Sequence, residues 1–220
     1  MKGINFTQEM HCATVNELKE MTRRIAKYNG QPIPTWWNVE MECGKFMLYD
    51  SDNCFVSEIK PRYKVGEKVY LKEPYIFYDL SDFAFWIEYK DLEKREFCWS
   101  ELGISERKAD LLEQKILTAM KEDRIENPRN MPEKFARHFI EITAVRCERL
   151  QDISNEDCLK EGIKPSVHNK HGTPITYIAD NVVHTHPRLT FAALINKAYK
   201  KGTWEANPYV WVYEFKLIKK

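Results

Sequence analysis

The sequence has no excess of charge of either sign. Its 34 lysine and arginine residues face 33 aspartate and glutamate residues, which leaves a formal net charge of +1 over 220 residues. A chain this close to neutral has no overall field that would draw it onto DNA or an anionic membrane. Any contact with nucleic acid therefore has to be local.

Long apolar runs and closely spaced cysteines are missing as well. No segment approaches the roughly 18 consecutive apolar residues of a membrane-spanning helix, and the N-terminus has no signal-peptide pattern. The six cysteines form no CxxC pair, so we expect buried thiols and no disulfide framework. His184 and His186 supply only one close pair of zinc ligands, whereas zinc sites usually have two. We predict a cytoplasmic protein without a metal site and without a membrane partner.

What is present is the composition of a folded protein, with 43% apolar, 30% charged and 13% aromatic residues. Residues 14–27 carry apolar side chains at helical spacing and predict a helix. A second helix is expected to follow Ser105 as its N-cap. Residues 154–162 begin with a capping-box pattern and end at a glycine, which predicts a short helix. A last helix is predicted from Thr190 to about Lys200.

Alternation of apolar and polar residues predicts the strands. An aromatic hairpin is expected within residues 76–99, with Phe83, Phe85, Ile87 and Tyr89 on one face. Strands are expected at 139–150 and 209–218. Residues 164–188 show no steady period and predict a long loop with one short strand at 175–178. This order of elements contains few βαβ crossovers. We therefore predict an α+β fold, a mixed and largely antiparallel β-barrel with flanking helices.

One group of side chains has the composition of a reactive site. On a helix, Lys19, Thr22 and Arg23 would lie at positions i, i+3 and i+4 and share a face. A hydroxyl beside an amine can act as a nucleophile with its base if burial or the charges of Arg23 and Arg24 lower the lysine pKa. The other interpretation, which spacing alone favours, is a core-facing threonine beside solvated charges. A carboxylate would favour the reactive site, and Glu161 is one candidate, although an exposed acid at the end of a helix is the commoner interpretation of that residue.

The same residues resemble a known family. Residues 19–24, Lys-Glu-Met-Thr-Arg-Arg, resemble the Lys-x-x-Thr-Arg-Arg signature near the N-terminus of ASCH-domain proteins, members of the PUA-like superfamily. Residues 63–73 are similar to the strand pair that follows the signature, and residues 150–162 to the later helix. Residues 204–215 resemble the ending of larger members that are common in phages and prophages.

The resemblance implies a single PUA-like domain over residues 1–220. Residues 76–130 and 164–188 have no clear counterpart in the small members, so we expect them to be insertions around the barrel. The cleft of such a domain is expected to bind RNA, a nucleotide or a modified nucleoside. Arg23 and Arg24 would contact phosphate, and Trp204 would stack on bases, as would Trp36 or Trp37.

A hydrolytic function is the alternative that the resemblance implies. Small bacterial members hydrolyse the acetamide of N4-acetylcytidine with the signature Lys and Thr and a later Glu, which match Lys19, Thr22 and Glu161 here. Thr22 would attack the acetyl carbonyl, Lys19 would take its proton, and Glu161 would orient groups or carry a proton to the leaving amine. No metal or organic cofactor would be needed.

Glu73 has two interpretations of equal standing. It ends a predicted strand beside Pro74, where a carboxylate can line the cleft. It can instead hold Arg23 or Arg24 in a structural ion pair.

Overall fold

The protein is described by a computed structural model that covers residues 1–168 and 174–219. Its helices and strands in chain order are β1 (Lys2–Asn5), α1 (Gln8–Val15), β2 (Met21–Ile25), β3 (Lys27–Tyr28), β4 (Gln31–Pro32), β5 (Asn38–Glu42), β6 (Lys45–Tyr49), β7 (Phe55–Ile59), β8 (Lys68–Lys72), β9 (Tyr75–Leu80), β10 (Ala84–Tyr89), β11 (Lys94–Cys98), α2 (Glu106–Lys121), β12 (Phe139–Arg149), α3 (Asn155–Lys160), β13 (Lys164–His168), β14 (Pro174–Ala179), β15 (Val182–His184), α4 (Pro187–Ala198), α5 (Thr203–Ala206) and β16 (Tyr209–Ile218). Short 3₁₀ helices occur at Trp99–Glu101, Pro128–Asn130, Glu133–Phe135 and Leu150–Asp152.

The class is α+β, as predicted, with most strands in several antiparallel sheets and five α-helices among the described residues. Within residues 1–168 and 174–219, no closed barrel is detected among these sheets. The PUA-like barrel therefore stays a prediction. In the same residues, no helix combines the length and the apolar character needed to span a membrane.

The chain divides into two compact units. Unit 1 consists of Met1–Phe6 and Tyr70–Arg137, and unit 2 consists of Thr7–Val69 and His138–Lys220. The predicted insertion at residues 76–130 falls within the range of unit 1. The single domain over residues 1–220 stays a prediction.

Unit 1 is built on the antiparallel sheet β11-β10-β9. The predicted aromatic face is confirmed for Phe85, Ile87 and Tyr89, which are fully buried. Phe83 was expected on the same face but precedes β10 and is 82% exposed. Phe135 packs its ring against Phe85 at a centroid distance of 5.7 Å, so the core of this unit is aromatic, where offset and edge contacts add to burial.

Unit 2 contains the antiparallel strands β12, β16 and β2, and β16 lies in the middle. The pairing of β2 with β16 is regular and sets Thr22 opposite Tyr213 and Arg23 opposite Val212. Val212 in turn pairs with Arg146 on β12. Because side chains alternate between the faces of a strand, Arg23 and Arg146 share one face of this sheet, and Thr22 lies on the other.

The helix predicted at residues 14–27 is wrong. Thr7 caps α1 instead, since its hydroxyl accepts a hydrogen bond from Met10 N, and the helix ends at Val15. Glu17 then adopts a positive φ of 57°, a conformation that does not continue a helix, and the chain enters β2. Residues 21–25 pair with β16 instead, and that pairing overrides the local helical pattern.

Within residues 164–188, the short strand predicted at 175–178 is confirmed as part of β14, but the loop predicted around it is wrong where the structure describes it. Three strands, β13, β14 and β15, form an antiparallel sheet there, and residues 169–173 lie outside the described residues. The helix predicted from Thr190 begins earlier. His186 is its N-cap and Pro187 its first residue, a position where proline needs no N–H partner.

Candidate functional site

Lys19 and Glu161 meet in the interior of unit 2. Lys19 Nζ donates to the Glu161 carboxylate oxygen Oε2 at 2.7 Å and to the Glu161 carbonyl oxygen at 2.7 Å. The two side chains are 4% and 5% exposed. The turn before β2 supplies the lysine, and the residue that ends α3 supplies the glutamate. The structure therefore joins two of the three residues of the predicted catalytic set.

The local sequence explains where Glu161 lies. The Ser154 hydroxyl accepts a hydrogen bond from Asp157 N at 3.0 Å and starts α3, as the capping pattern predicted. Gly162, with a positive φ of 94°, ends the helix directly after Glu161. A Cβ at this position would also lie 3.3 Å from Lys19 Cβ. The backbone conformation therefore favours glycine, and the close approach of Lys19 leaves little room for a larger residue.

Arg23 is enclosed by carboxylates. Its Nη2 lies 2.7 Å from Oε1 of Glu148 and 2.7 Å from Oδ2 of Asp157, and its Nη1 lies 3.1 Å from Oε1 of Glu161. Burial alone would lower the pKa of Arg23, but Glu161, Glu148 and Asp157 together raise it. Because the guanidinium is buried and committed to these partners, we assign it no contact with phosphate.

Arg146 completes the group. It donates to Glu148 at 2.8 Å, to Asp157 at 2.5 Å and to Glu214 at 2.6 Å. We call six residues the Arg23 cluster: Lys19, Arg23, Arg146, Glu148, Asp157 and Glu161. Each of its charged side chains contacts one of opposite sign, and such pairing is the condition under which buried charges are tolerated.

Burial lowers the pKa of Lys19. The charge and hydrogen bond of Glu161 oppose this shift, and the charges of Arg24 and Arg23 add to it. The predicted effect of the two arginines is thus confirmed in direction, although burial is the larger cause. A lysine with a lowered pKa can give up its proton and serve as a base.

Thr22 and Arg24 lie on the face of β2 opposite Arg23. Thr22 is buried, and the strand alternation places it with Tyr213 on the face opposite Arg23. Arg24 pairs with Trp211 on that same face and is half-buried. Thr22 is therefore not among the residues that the structure joins to Glu161 through a hydrogen bond.

Trp204 shares a neighbour, Phe191, with the Arg23 cluster. It is the second residue of α5 and is half-buried. The centroid of its ring lies 6.2 Å from that of Phe191. The Arg23 guanidinium lies 5.8 Å from the centroid of the same Phe191 ring. Phe191 is thus a common contact of two predicted binding residues, and its place on α4 had not been singled out from the sequence.

Glu73 belongs to unit 1. Its carboxylate accepts hydrogen bonds from Arg137, with Oε1 at 3.0 Å from Nε, and both side chains are buried. Asp91 and Glu93 contact the same guanidinium. We call Arg137, Glu73, Asp91 and Glu93 the Arg137 cluster. Glu73 thus forms a structural ion pair, with a partner that sequence reasoning missed.

Glu148, Asp157 and Arg146 were also missed. Arg146 and Glu148 stand two residues apart on a predicted strand, a spacing that puts both on one face. Asp157 stood in the capping pattern itself. These signals were present, but only the register between β12, β16 and β2 shows that they meet Arg23.

Among the described residues, no three His, Cys, Asp or Glu side chains come together in an arrangement that could hold a metal ion. Comparisons with protein-family models, with curated proteins and with solved structures find no match to this chain. The resemblance to ASCH-domain proteins therefore stays a prediction from its motifs.

Proposed function

We propose that this chain is an amidohydrolase that removes an acyl group from the exocyclic amine of a cytidine-like base. The observation that supports it most is the buried contact of Lys19 Nζ with both the carbonyl and the carboxylate of Glu161. It joins two residues 142 positions apart to which the family resemblance gives proton-carrying roles. As in that family, the proposed reaction uses no metal.

The contact suits a general base. The neutral Lys19 amine has two N–H groups, which can donate to the backbone carbonyl and to Oε2 of Glu161. It also has a lone pair, which can accept a proton. The lowered pKa of Lys19 favours that form. Arg23 holds the second carboxylate oxygen of Glu161, which fixes the direction of the carboxylate.

In the proposed reaction, a nucleophile adds to the acyl carbonyl while Lys19 takes its proton. The carbon–nitrogen bond then breaks, and the leaving amine receives a proton from Lys19 or through Glu161. If the nucleophile is water, the products form directly. If it is the Thr22 hydroxyl, an acyl ester forms first and water then hydrolyses it. Either route consumes one water and yields the free amine and the carboxylic acid.

Hydrolysis of N4-acetylcytidine by the purified protein, followed by chromatography, tests the proposal. Lys19→Arg keeps a positive charge beside Glu161 but does not release a proton near neutral pH. We expect this variant to lower kcat/KM by about 10²- to 10⁴-fold, the usual contribution of a general base. Lys216→Arg is the matched control, because Lys216 is 64% exposed and pairs with Glu141 at 3.3 Å in the same unit.

Thr22→Val then separates the two nucleophiles. Loss of turnover, together with loss of an acylated protein detected by mass spectrometry, assigns the attack to Thr22. Unchanged turnover assigns it to water. Absence of hydrolysis by the unmodified protein, or equal rates for the unmodified protein and Lys19→Arg, contradicts the proposal.

Binding of single-stranded RNA is a second candidate, and the exposure of Trp36 favours it. This side chain is 69% exposed, and an open indole face can stack on a base. Trp36→Ala should weaken binding of a fluorescent single-stranded RNA by about 5- to 100-fold, since stacking on an aromatic ring contributes about 1–3 kcal/mol per base. Phe83→Ala, at a position 82% exposed, is the control. Equal losses in the two variants would remove the specific role of Trp36.

A further inference from the structure

The sheet β11-β10-β9 of unit 1 has one covered face, where Phe77 and Phe85 are buried, and one open face. On the covered face, Phe135 packs against Phe85. Lys115 of α2 places its Nζ 5.7 Å from the ring centroid of Phe77 on the same face. Because side chains alternate along a strand, the residues between the buried ones point to the open face. Its polar and aromatic members are exposed or half-buried: Tyr78, Asp79, Trp86, Glu88, Lys94 and Glu96.

Trp86 stands between two carboxylates on this open face. It pairs with Asp79 on β9 and with Glu96 on β11, so the three residues form one row across the sheet. Directly opposite residues on neighbouring strands point to the same face, with their Cβ atoms about 4.5–5.5 Å apart. The Asp79 carboxylate accepts a hydrogen bond from Leu80 N at 2.8 Å. Within residues 1–168 and 174–219, neither carboxylate of the row forms an ion pair.

A neighbouring contact shows how this face holds a cation. Lys94 Nζ lies 3.3 Å from the ring centroid of Tyr78 and 3.4 Å from Oε2 of Glu88. An ammonium group thus rests on an aromatic ring beside a carboxylate. The Trp86 row repeats this combination with two carboxylates and with indole, the aromatic ring that attracts cations most strongly. The row therefore suits a cation that comes from outside the chain.

The charge of the open face indicates the kind of partner. Three carboxylates, those of Asp79, Glu88 and Glu96, face the single ammonium of Lys94, and this excess of negative charge repels phosphate groups and attracts cations. A guanidinium fits the row better than an ammonium, because it is planar, stacks on a ring and donates hydrogen bonds from its edges. An open sheet face does not enclose a small ligand as a concave pocket does, which favours a longer chain.

We propose that the open face of unit 1 binds a partner protein through a basic segment, one arginine of which stacks on Trp86 between Asp79 and Glu96. The proposal is independent of the proposed hydrolysis, because it concerns residues that take no part in that reaction. It gives a role to residues 76–130, the segment expected to be an insertion.

Fluorescence anisotropy with the full chain and a labelled peptide tests the proposal. The peptide has ten residues, with four arginines separated by glycine and serine. A matched peptide carries citrulline in place of arginine, which keeps the shape of the side chain and removes its charge. We expect the arginine peptide to bind with a dissociation constant below about 1 mM and at least about fivefold more tightly than the citrulline peptide. Salt at 0.5 M should weaken this binding, since the charges are exposed.

Two variants then locate the site. The double variant Asp79→Asn, Glu96→Gln should weaken binding of the arginine peptide by about 3- to 20-fold, because each exposed ion pair contributes only modestly. Trp86→Leu keeps an apolar side chain but removes the ring, and it should weaken binding by about 3- to 30-fold. The control Asp110→Asn, Glu113→Gln removes the same charge from exposed positions of α2 in the same unit. Its affinity should stay within about twofold of that of the unmodified protein.

Circular dichroism would first establish that each variant is folded. Absence of binding below about 1 mM, or equal affinity for the two peptides, would overturn the proposal. Equal weakening by the double variant and the control would do the same, because it would show a diffuse attraction without a site. Sedimentation that reveals self-association lost in the double variant would make a second copy of this chain the occupant instead. Binding of single-stranded RNA that depends on Trp86 would also replace the proposed partner.

Discussion

Each unit encloses one arginine with three carboxylates, and the two clusters differ in their access to water. In the Arg23 cluster, the three carboxylate side chains are at most 18% exposed, and two further cations, Lys19 and Arg146, contact them. In the Arg137 cluster, Glu73 is buried, whereas Asp91 and Glu93 are more than half exposed. The Arg137 cluster therefore suits a structural role, in which ion pairs fix the turn after β10 to Arg137.

The comparison indicates which cluster can carry chemistry. The Arg137 cluster contains no lysine, and its arginine lies 3.9 Å from the ring centroid of Tyr89, which is a packing contact. The Arg23 cluster holds a lysine whose pKa burial lowers. A reactive site is expected to be a buried cluster of ion pairs in which one side chain can change its charge. A structural network has similar features. Substitutions can separate the two roles.

The largest effect is expected for Arg23→Met. The variant leaves three poorly hydrated carboxylates without their shared cation, and we expect the free energy of unfolding to fall by about 3–5 kcal/mol. Urea unfolding followed by circular dichroism measures this. Arg62→Met is a control in the same unit. A loss below about 1 kcal/mol would mean that water reaches the cluster and that it is not closed.

A smaller loss is expected for Glu73→Gln. The amide keeps the shape of the side chain and one acceptor oxygen but removes the buried charge beside Arg137. Because Asp91 and Glu93 still face that guanidinium, we expect a loss of about 2 kcal/mol in urea unfolding. A loss as large as that of Arg23→Met would erase the distinction between the two clusters.

The third prediction concerns pH and Lys19. Its pKa in the folded protein lies below the usual 10.5, so the unfolded chain binds more protons between the two values. The stability of the unmodified protein should therefore rise with pH across that interval, by at most about 1.4 kcal/mol per pH unit. Lys19→Met should lack this rise, while Lys216→Met should keep it. Parallel stability curves for both variants would contradict the lowered pKa.

The smallest effect is expected for Asp91→Asn. Burial acts to raise the pKa of Asp91, but the hydrogen bond and the charge of Arg137 outweigh it and lower the pKa. The contribution of Asp91 should be present above pH 3.8 and should disappear as the pH falls through the lowered value. Because the side chain is 57% exposed, we expect a loss below about 1 kcal/mol that molar salt reduces further. A loss that salt leaves unchanged would indicate a buried contact.

Local signals predicted part of this structure, and non-local pairing decided the rest. The cap at Ser154 and the glycine after Glu161 placed α3 correctly, because both act within one turn of helix. The segment around Lys19 fits a helix by its spacing, yet it enters β2, because its partner β16 lies at the far end of the sequence. The contact of Lys19 with Glu161 followed from the family resemblance and not from any spacing.

The sequence therefore predicted which residues belong to the site, but it did not predict how they are arranged. Lys19 and Glu161 were named together, but the helix that would have set Thr22 beside Lys19 does not form. Alternation along β2 places Thr22 and Arg23 on opposite faces instead. Register between strands is specified by burial of one face over the whole sheet, and a single segment does not contain that information.

The pairing of β2 with β16 also has a consequence for biosynthesis. Residues 21–25 leave the ribosome long before residues 209–218 exist, so β2 waits without this partner for most of translation. Contacts between such distant segments form slowly, because a long loop has to close first. The Arg23 cluster draws on β2, β12 and α3, and its charges can settle only when the last strand has joined. Assembly of this site is thus a step that waits for β16, and a nascent chain halted before β16 would be a natural client for chaperones.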